Sequence, residues 1–210
     1  MSNANQPIGS RLEVGQIIPA FTLPGADGMP HSPWDYKQRE HLLLLFTRSS
    51  TIGETRGLLR AFAQQYAKLR EEECAMLAIS PDTVIVNLRA QEKLDLQFAL
   101  LADPKGEVIS SYLMHKNEAR RVATRTPTPP NTTPVPTETK PPFLNRSLDY
   151  APEWNERAQD SSLEALSLSI VLADRYGALY QQWVAESEAD LPPIEELLES
   201  LRYLNKLCTP

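Results

Sequence analysis

The chain is short of thiols. Its 210 residues include two cysteines, Cys74 and Cys208. They stand 134 positions apart (208 − 74), so they form neither a CxxC redox pair nor part of a zinc knuckle. Histidine is scarce too: His31, His41 and His115 are scattered without metal-ligand spacing, which argues against a metal centre. No run approaches the roughly 18 apolar residues of a membrane span. Met1 to Arg11 has no apolar stretch of the signal-peptide kind. Gly-rich phosphate loops and a GxSxG nucleophile elbow are missing. A net charge of −6 argues against nucleic-acid binding by the molecule as a whole. These absences predict a cytoplasmic protein with no membrane span, metal or cofactor.

A core can nevertheless be built. Hydrophobic residues make up 41% of the chain, too many for a disordered polymer. Phe21 to Leu23 reads as a short strand ending at the turn Gly25-Ala26-Asp27-Gly28. Leu42 to Phe46 is too short for a buried helix and reads as a strand covered on both faces. Between Thr55 and Glu72, Leu59, Phe62, Tyr66 and Leu69 recur at spacings of 3, 4 and 3, one face of a helix. Ala75 to Ile79 is a second apolar strand, which makes Cys74 a small buried hydrophobe. A helix over Thr83–Leu94 follows, with Ser80 or Asp82 as its N-cap. Leu96–Ala102 reads as a third strand and Glu107–Leu113 as a short helix.

Composition then changes. Eight of the 18 prolines fall between Pro127 and Pro152, a density that ordinary helix and strand do not hold. Order resumes with a strand over Leu166–Leu172, a turn at Asp174–Gly177 and a partner strand over Ala178–Val184. A helix then carries Ile194, Leu197, Leu198, Leu201 and Leu204 on one face. Strand–helix–strand units followed by a hairpin predict a mixed central β-sheet flanked by helices, an α/β fold. The expected organisation is a tail over residues 1–11 and one domain over 12–210. A Pro-rich insertion at about 114–163 interrupts that domain before the C-terminal hairpin and helix.

Several local patterns fall in a telling order. Gly15, Pro19, Phe21 and Leu23 lead to Asp27-Gly28, and Ile79-Ser80 closes a core strand. Leu96, Phe98, Leu100, Leu101, Asp103 and Gly106 space out a further stretch. Asp174 and Gly177 separate two strands, and Leu191-Pro192 precedes the last helix. In this order they resemble the peroxiredoxin-like AhpC/TSA (redoxin) family of the thioredoxin-fold superfamily, over about residues 12–113 and 164–206. The resemblance implies a thioredoxin-like fold. It also implies a catalytic cysteine at the start of the long helix, where the dipole and free N–H groups favour a thiolate. That position falls on Thr55 with peroxiredoxin spacing, or on Ile52 and Thr55 with the shorter CxxC-type loop. Neither residue is a thiol. The expectation is therefore a binding or interaction scaffold without peroxidase activity. The alternative is a thiol-dependent, peroxiredoxin-like oxidoreductase with an unconventional site. Binding is expected at Arg48, Ser49, Ser50, Thr51, Thr55 and Arg56, whose hydroxyl and guanidinium groups suit a protein partner or a small anionic ligand.

Overall fold

The computed structural model describes residues 12–113 and 168–208. The tail over 1–11 and the Pro-rich stretch lie outside the described residues. In chain order the elements are β1 (Leu23–Pro24), β2 (Pro30–His31), β3 (His41–Phe46), α1 (Gly53–Glu71), β4 (Cys74–Ser80), α2 (Val84–Leu94), β5 (Ala99–Ala102), α3 (Glu107–Leu113), β6 (Leu168–Ala173), β7 (Leu179–Ala185) and α4 (Ile194–Cys208).

The main sheet runs in the order β5-β4-β3-β6-β7. β3, β4 and β5 are parallel, and β6 and β7 are antiparallel to their neighbours. This is the mixed α/β sheet that the pattern of runs and turns predicts. β3 lies in the middle and buries all six of its side chains. Strand alternation sends them to two cores. Leu43 and Leu45 meet Met76, Leu59, Phe62 and the α4 leucines on one face. Leu42, Leu44 and Phe46 meet Ile18, Ile109 and Tyr112 on the other. Each such leucine contributes about 1.5–3 kcal/mol by leaving water.

Most boundaries shift by a residue or two from the sequence reading, and two of the shifts have a visible cause. β5 begins at Ala99, not Leu96, because Asp95 takes a left-handed conformation (φ 51°) that ends α2. The Leu96 N–H then closes that helix onto Gln91 O at 3.1 Å. Leu96 and Phe98 still bury their side chains, but as a connector. The early strand is also shorter than expected, because it pairs with β2 only at Leu23 and Pro24, opposite His31 and Pro30, which leaves Phe21 outside the ladder.

Glu72 and Glu73, just past the end of α1, are tied to α4 and to the β6–β7 hairpin. Arg202 Nε donates to Glu72 Oε1 at 2.9 Å, and Asn205 Nδ2 donates to Glu72 O at 3.1 Å. Asn205 Oδ1 also lies 3.0 Å from His41 Nε2, at the start of β3. Burial pushes the His41 imidazole below its ordinary pKa; the Asn205 contact opposes that shift and the Arg175 charge adds to it. A depressed histidine is neutral in the folded chain while the unfolded chain takes up a proton, so stability is lost as pH falls through its unfolded value. Thermal unfolding followed between about pH 7 and pH 5 should show a falling Tm, and His41→Gln should flatten that slope.

Candidate functional site

α1 begins where β3 stops. Thr47 remains tied to β4: its N–H donates to Ile79 O at 2.9 Å and its Oγ1 donates to the same carbonyl at 3.2 Å. The chain then turns through Ser49-Ser50-Thr51 and enters α1 at Gly53.

Asp82 holds that turn from the end of the neighbouring strand. It is buried, and its carboxylate accepts from Ser49 Oγ at 2.7 Å, Ser50 Oγ at 2.6 Å and Ser50 N–H at 2.6 Å. Ser49 Oγ also accepts from the Thr51 N–H at 3.2 Å. A buried carboxylate needs such donors, because unpaired it would lose its hydration for nothing. Asp82 is thus not the N-cap of α2. Thr83 takes that place without a side-chain bond. Ser80 is not the cap either: its Oγ donates to Asn87 Oδ1 at 2.8 Å and accepts from the Asp82 N–H at 3.2 Å.

The residues expected at the site do come together, with unequal freedom. Ile52 is the N-cap of α1 and provides no side-chain bond, so no side chain caps the first N–H groups of the helix. Thr55 stands in that first turn, fully buried, with no partner for its Oγ1. Ser49 and Ser50 serve Asp82, while Thr51 is exposed. Arg56 is half-buried on α1.

Arg48 is already engaged. Its Nη2 donates to Glu186 O at 3.2 Å, and its Nη1 lies 4.0 Å from Glu54 Oε2. Glu188, in a single 3-10 turn after β7, belongs to the same group. Burial and then the Glu54 charge push its carboxyl up, against the pull of Arg48. The surroundings are therefore carboxylate-rich, and one guanidinium serves several oxygens. The sequence reading missed Asp82 as the keeper of the loop, and Glu188 altogether. For Asp82 the signal was its place just past Ile79-Ser80, at the end of the strand beside β3; Glu188 carries no motif.

The thiols are elsewhere. Cys74 is fully buried at the start of β4, and burial pushes its thiol up to about 12. Its backbone pairs with His41 at the foot of β3. Cys208 ends α4, three residues beyond Asn205, which bonds at that same foot. Cys74 thus belongs to the end of the sheet opposite Thr55.

A family model described as the AhpC/TSA family matches residues 14–136. Peroxiredoxin bcp1 of Schizosaccharomyces pombe is 30% identical over 106 residues, 50% of this chain and 54% of that protein. A Coxiella burnetii protein bearing the name peroxiredoxin bcp is 32% identical over 101 residues, 48% of this chain and 66% of its own length. The matches thus span about half to two thirds of these relatives. The crystal structure of peroxidoxin BcpB from Mycobacterium tuberculosis aligns with a TM-score of 0.62 at 14% identity, over 92% of this chain and 98% of that one. This last likeness shows the thioredoxin-type fold. The expectation of a non-peroxidase scaffold is overturned by the sequence relatives, which carry the peroxiredoxin name and favour the alternative reading. Among the described residues no helix is long and apolar enough to cross a membrane.

If Asp82 organises the loop, removing its carboxylate leaves the Ser50 N–H and two hydroxyls without acceptors. Asp82→Ala should cost about 2–4 kcal/mol in a denaturant titration. It should also speed hydrogen exchange at Ser50. Asp82→Asn, which keeps one acceptor, should cost less.

Proposed function

The chain belongs to the AhpC/TSA family, and on that premise we propose that it is a peroxiredoxin-like, thiol-dependent oxidoreductase whose reacting thiol is not at the start of α1. The observation that carries this reading is the family match over residues 14–136, which takes in β3, the Ser49–Thr51 turn, α1 and β4 as one unit. The two sequence relatives named as peroxiredoxins support it.

Such chemistry needs a thiolate. The sulfur attacks a peroxide oxygen, the O–O bond breaks, and an alcohol or water leaves. The resulting sulfenic acid condenses with an external thiol, and a second thiol releases the protein sulfur as thiolate. Thr55 has no sulfur to oxidise. Cys74, fully buried with its thiol pushed up to about 12, stays a protonated thiol at neutral pH. Cys208 is the remaining thiol of the chain, and it is the residue we assign to the reaction. The partner is then a thiol reductant, and the cytoplasm, where such reductants are maintained, is the compartment.

Purified protein should consume hydrogen peroxide in the presence of dithiothreitol faster than the reductant alone. Cys208→Ser should return the rate to that background, while a folded Cys74→Ser variant should stay within about twofold of the parent. A parent rate no higher than background ends the reading. Activity that survives Cys208→Ser removes that thiol from it.

A further inference from the structure

A cavity of about 260 Å³ opens at the foot of the sheet, where β4 and β5 begin and α1 and α2 end. It lies at the opposite end of the sheet from Thr55 and is independent of the redox reading. Tyr36, Tyr66 and Phe98 give it aromatic walls. Tyr66 meets Phe98 edge-on, with ring centroids 5.6 Å apart and planes at 62°, so these two rings form a corner and not a stack. Asp27 also lines the cavity, and its side chain is 39% exposed, within reach of anything that enters.

We propose that this cavity binds a small alkylammonium cation, seated against the three rings beside the Asp27 carboxylate. The rings come first. The face of an aromatic ring is the negative part of its quadrupole and attracts an ammonium within about 6 Å of the centroid. Methyl groups on the nitrogen pack on the same surface, so a methylated ammonium gives up less hydration on entry than a bare, strongly hydrated one. The volume lies just under the usual range of small-molecule pockets, roughly 300–1,000 Å³, which suits a compact cation.

Charge comes second. Burial opposes it, but the Met29 N–H and His31 hold the Asp27 carboxyl below its ordinary range, so it is ionised at neutral pH. Arg70 stands on the wall as well, and its two terminal nitrogens both donate to the Glu40 carboxylate, which offsets its charge. Burial, the neighbouring Tyr66 phenol, and then Asp35, Glu40 and Asp27 push the Tyr36 phenol up. Those three carboxylates favour a cation beside the Tyr36 ring. A neutral His31 leaves Asp27 uncompensated, whereas a protonated one would offset it, so the site is strongest above the imidazole range.

Choline carries a trimethylammonium group; dimethylbutanol, with a tert-butyl carbon in place of the nitrogen, is its neutral isostere. Each is titrated into the full-length protein at about pH 8, where imidazole is neutral, and followed by the ring proton shifts of tyrosine and phenylalanine. Choline should move the Tyr36, Tyr66 and Phe98 signals and bind about tenfold more tightly than dimethylbutanol. Asp27→Asn, checked for an unchanged Tm, should weaken choline about fivefold and leave dimethylbutanol as it was. Tyr36→Leu, which removes a ring and keeps the carboxylates, should lower the preference for choline about threefold even if the Asp27 variant loosens its turn. The site is overturned by still rings at roughly 10 mM choline, by shifts confined to other residues, by equal affinity for the two probes, or by a preference that both variants leave intact.

Discussion

β3 is the constraint on which the rest depends. Six consecutive side chains without access to water require cover on both faces and a hydrogen-bonded neighbour on each side. β4 and β6 provide the neighbours; α1, α2 and α4 cover one face, and Tyr112 with the N-terminal segment covers the other. The Tyr112 ring stacks 4.8 Å from Phe46, and its hydroxyl donates to Pro19 O at 2.6 Å. The same strand therefore locks the helix start at one end of the sheet and the His41–Asn205–Glu72 contacts at the other.

At the upper end the fold presents a helix start with no cysteine in its first turn. The helix still starts directly after the central strand, with no side chain capping it. A buried threonine stands where a thiolate is expected. The loop is rigidified by a carboxylate from the next strand, and Arg48 is held by a backbone carbonyl and a glutamate. Geometry that would stabilise an anion is thus separated from the sulfur that would carry the charge. This separation pushes any thiol chemistry to another part of the chain.

The lower end has the opposite character. Arg70–Glu40, Arg175–Glu73 and Arg202–Glu72 cluster where α1 and α4 finish and β3 and β4 begin. Surface pairs of this kind contribute little singly. Here they surround a buried histidine and apolar side chains, so their main effect is to keep charges compensated beside groups removed from water.

Much of this was legible in the chain itself. Leu42 to Phe46 could only be a doubly covered strand, the 3, 4, 3 spacing of Leu59, Phe62, Tyr66 and Leu69 demanded a helix against it, and the lack of a thiol at Thr55 needed no coordinates. These are local properties, set by periodicity and side-chain chemistry within a few residues. Asp82 was legible as a capping residue and proved to be something else, because its three donors come from residues more than thirty positions away that only the β3–β4 register brings near. Glu188, the engagement of Arg48 and the cavity beneath Tyr66 were likewise invisible, since each is assembled from separate elements. The sequence by itself determined which segments had to be buried and that no sulfur stands at the start of α1; tertiary structure alone decided which polar groups meet, because hydrogen bonding and desolvation act across space and not along the chain.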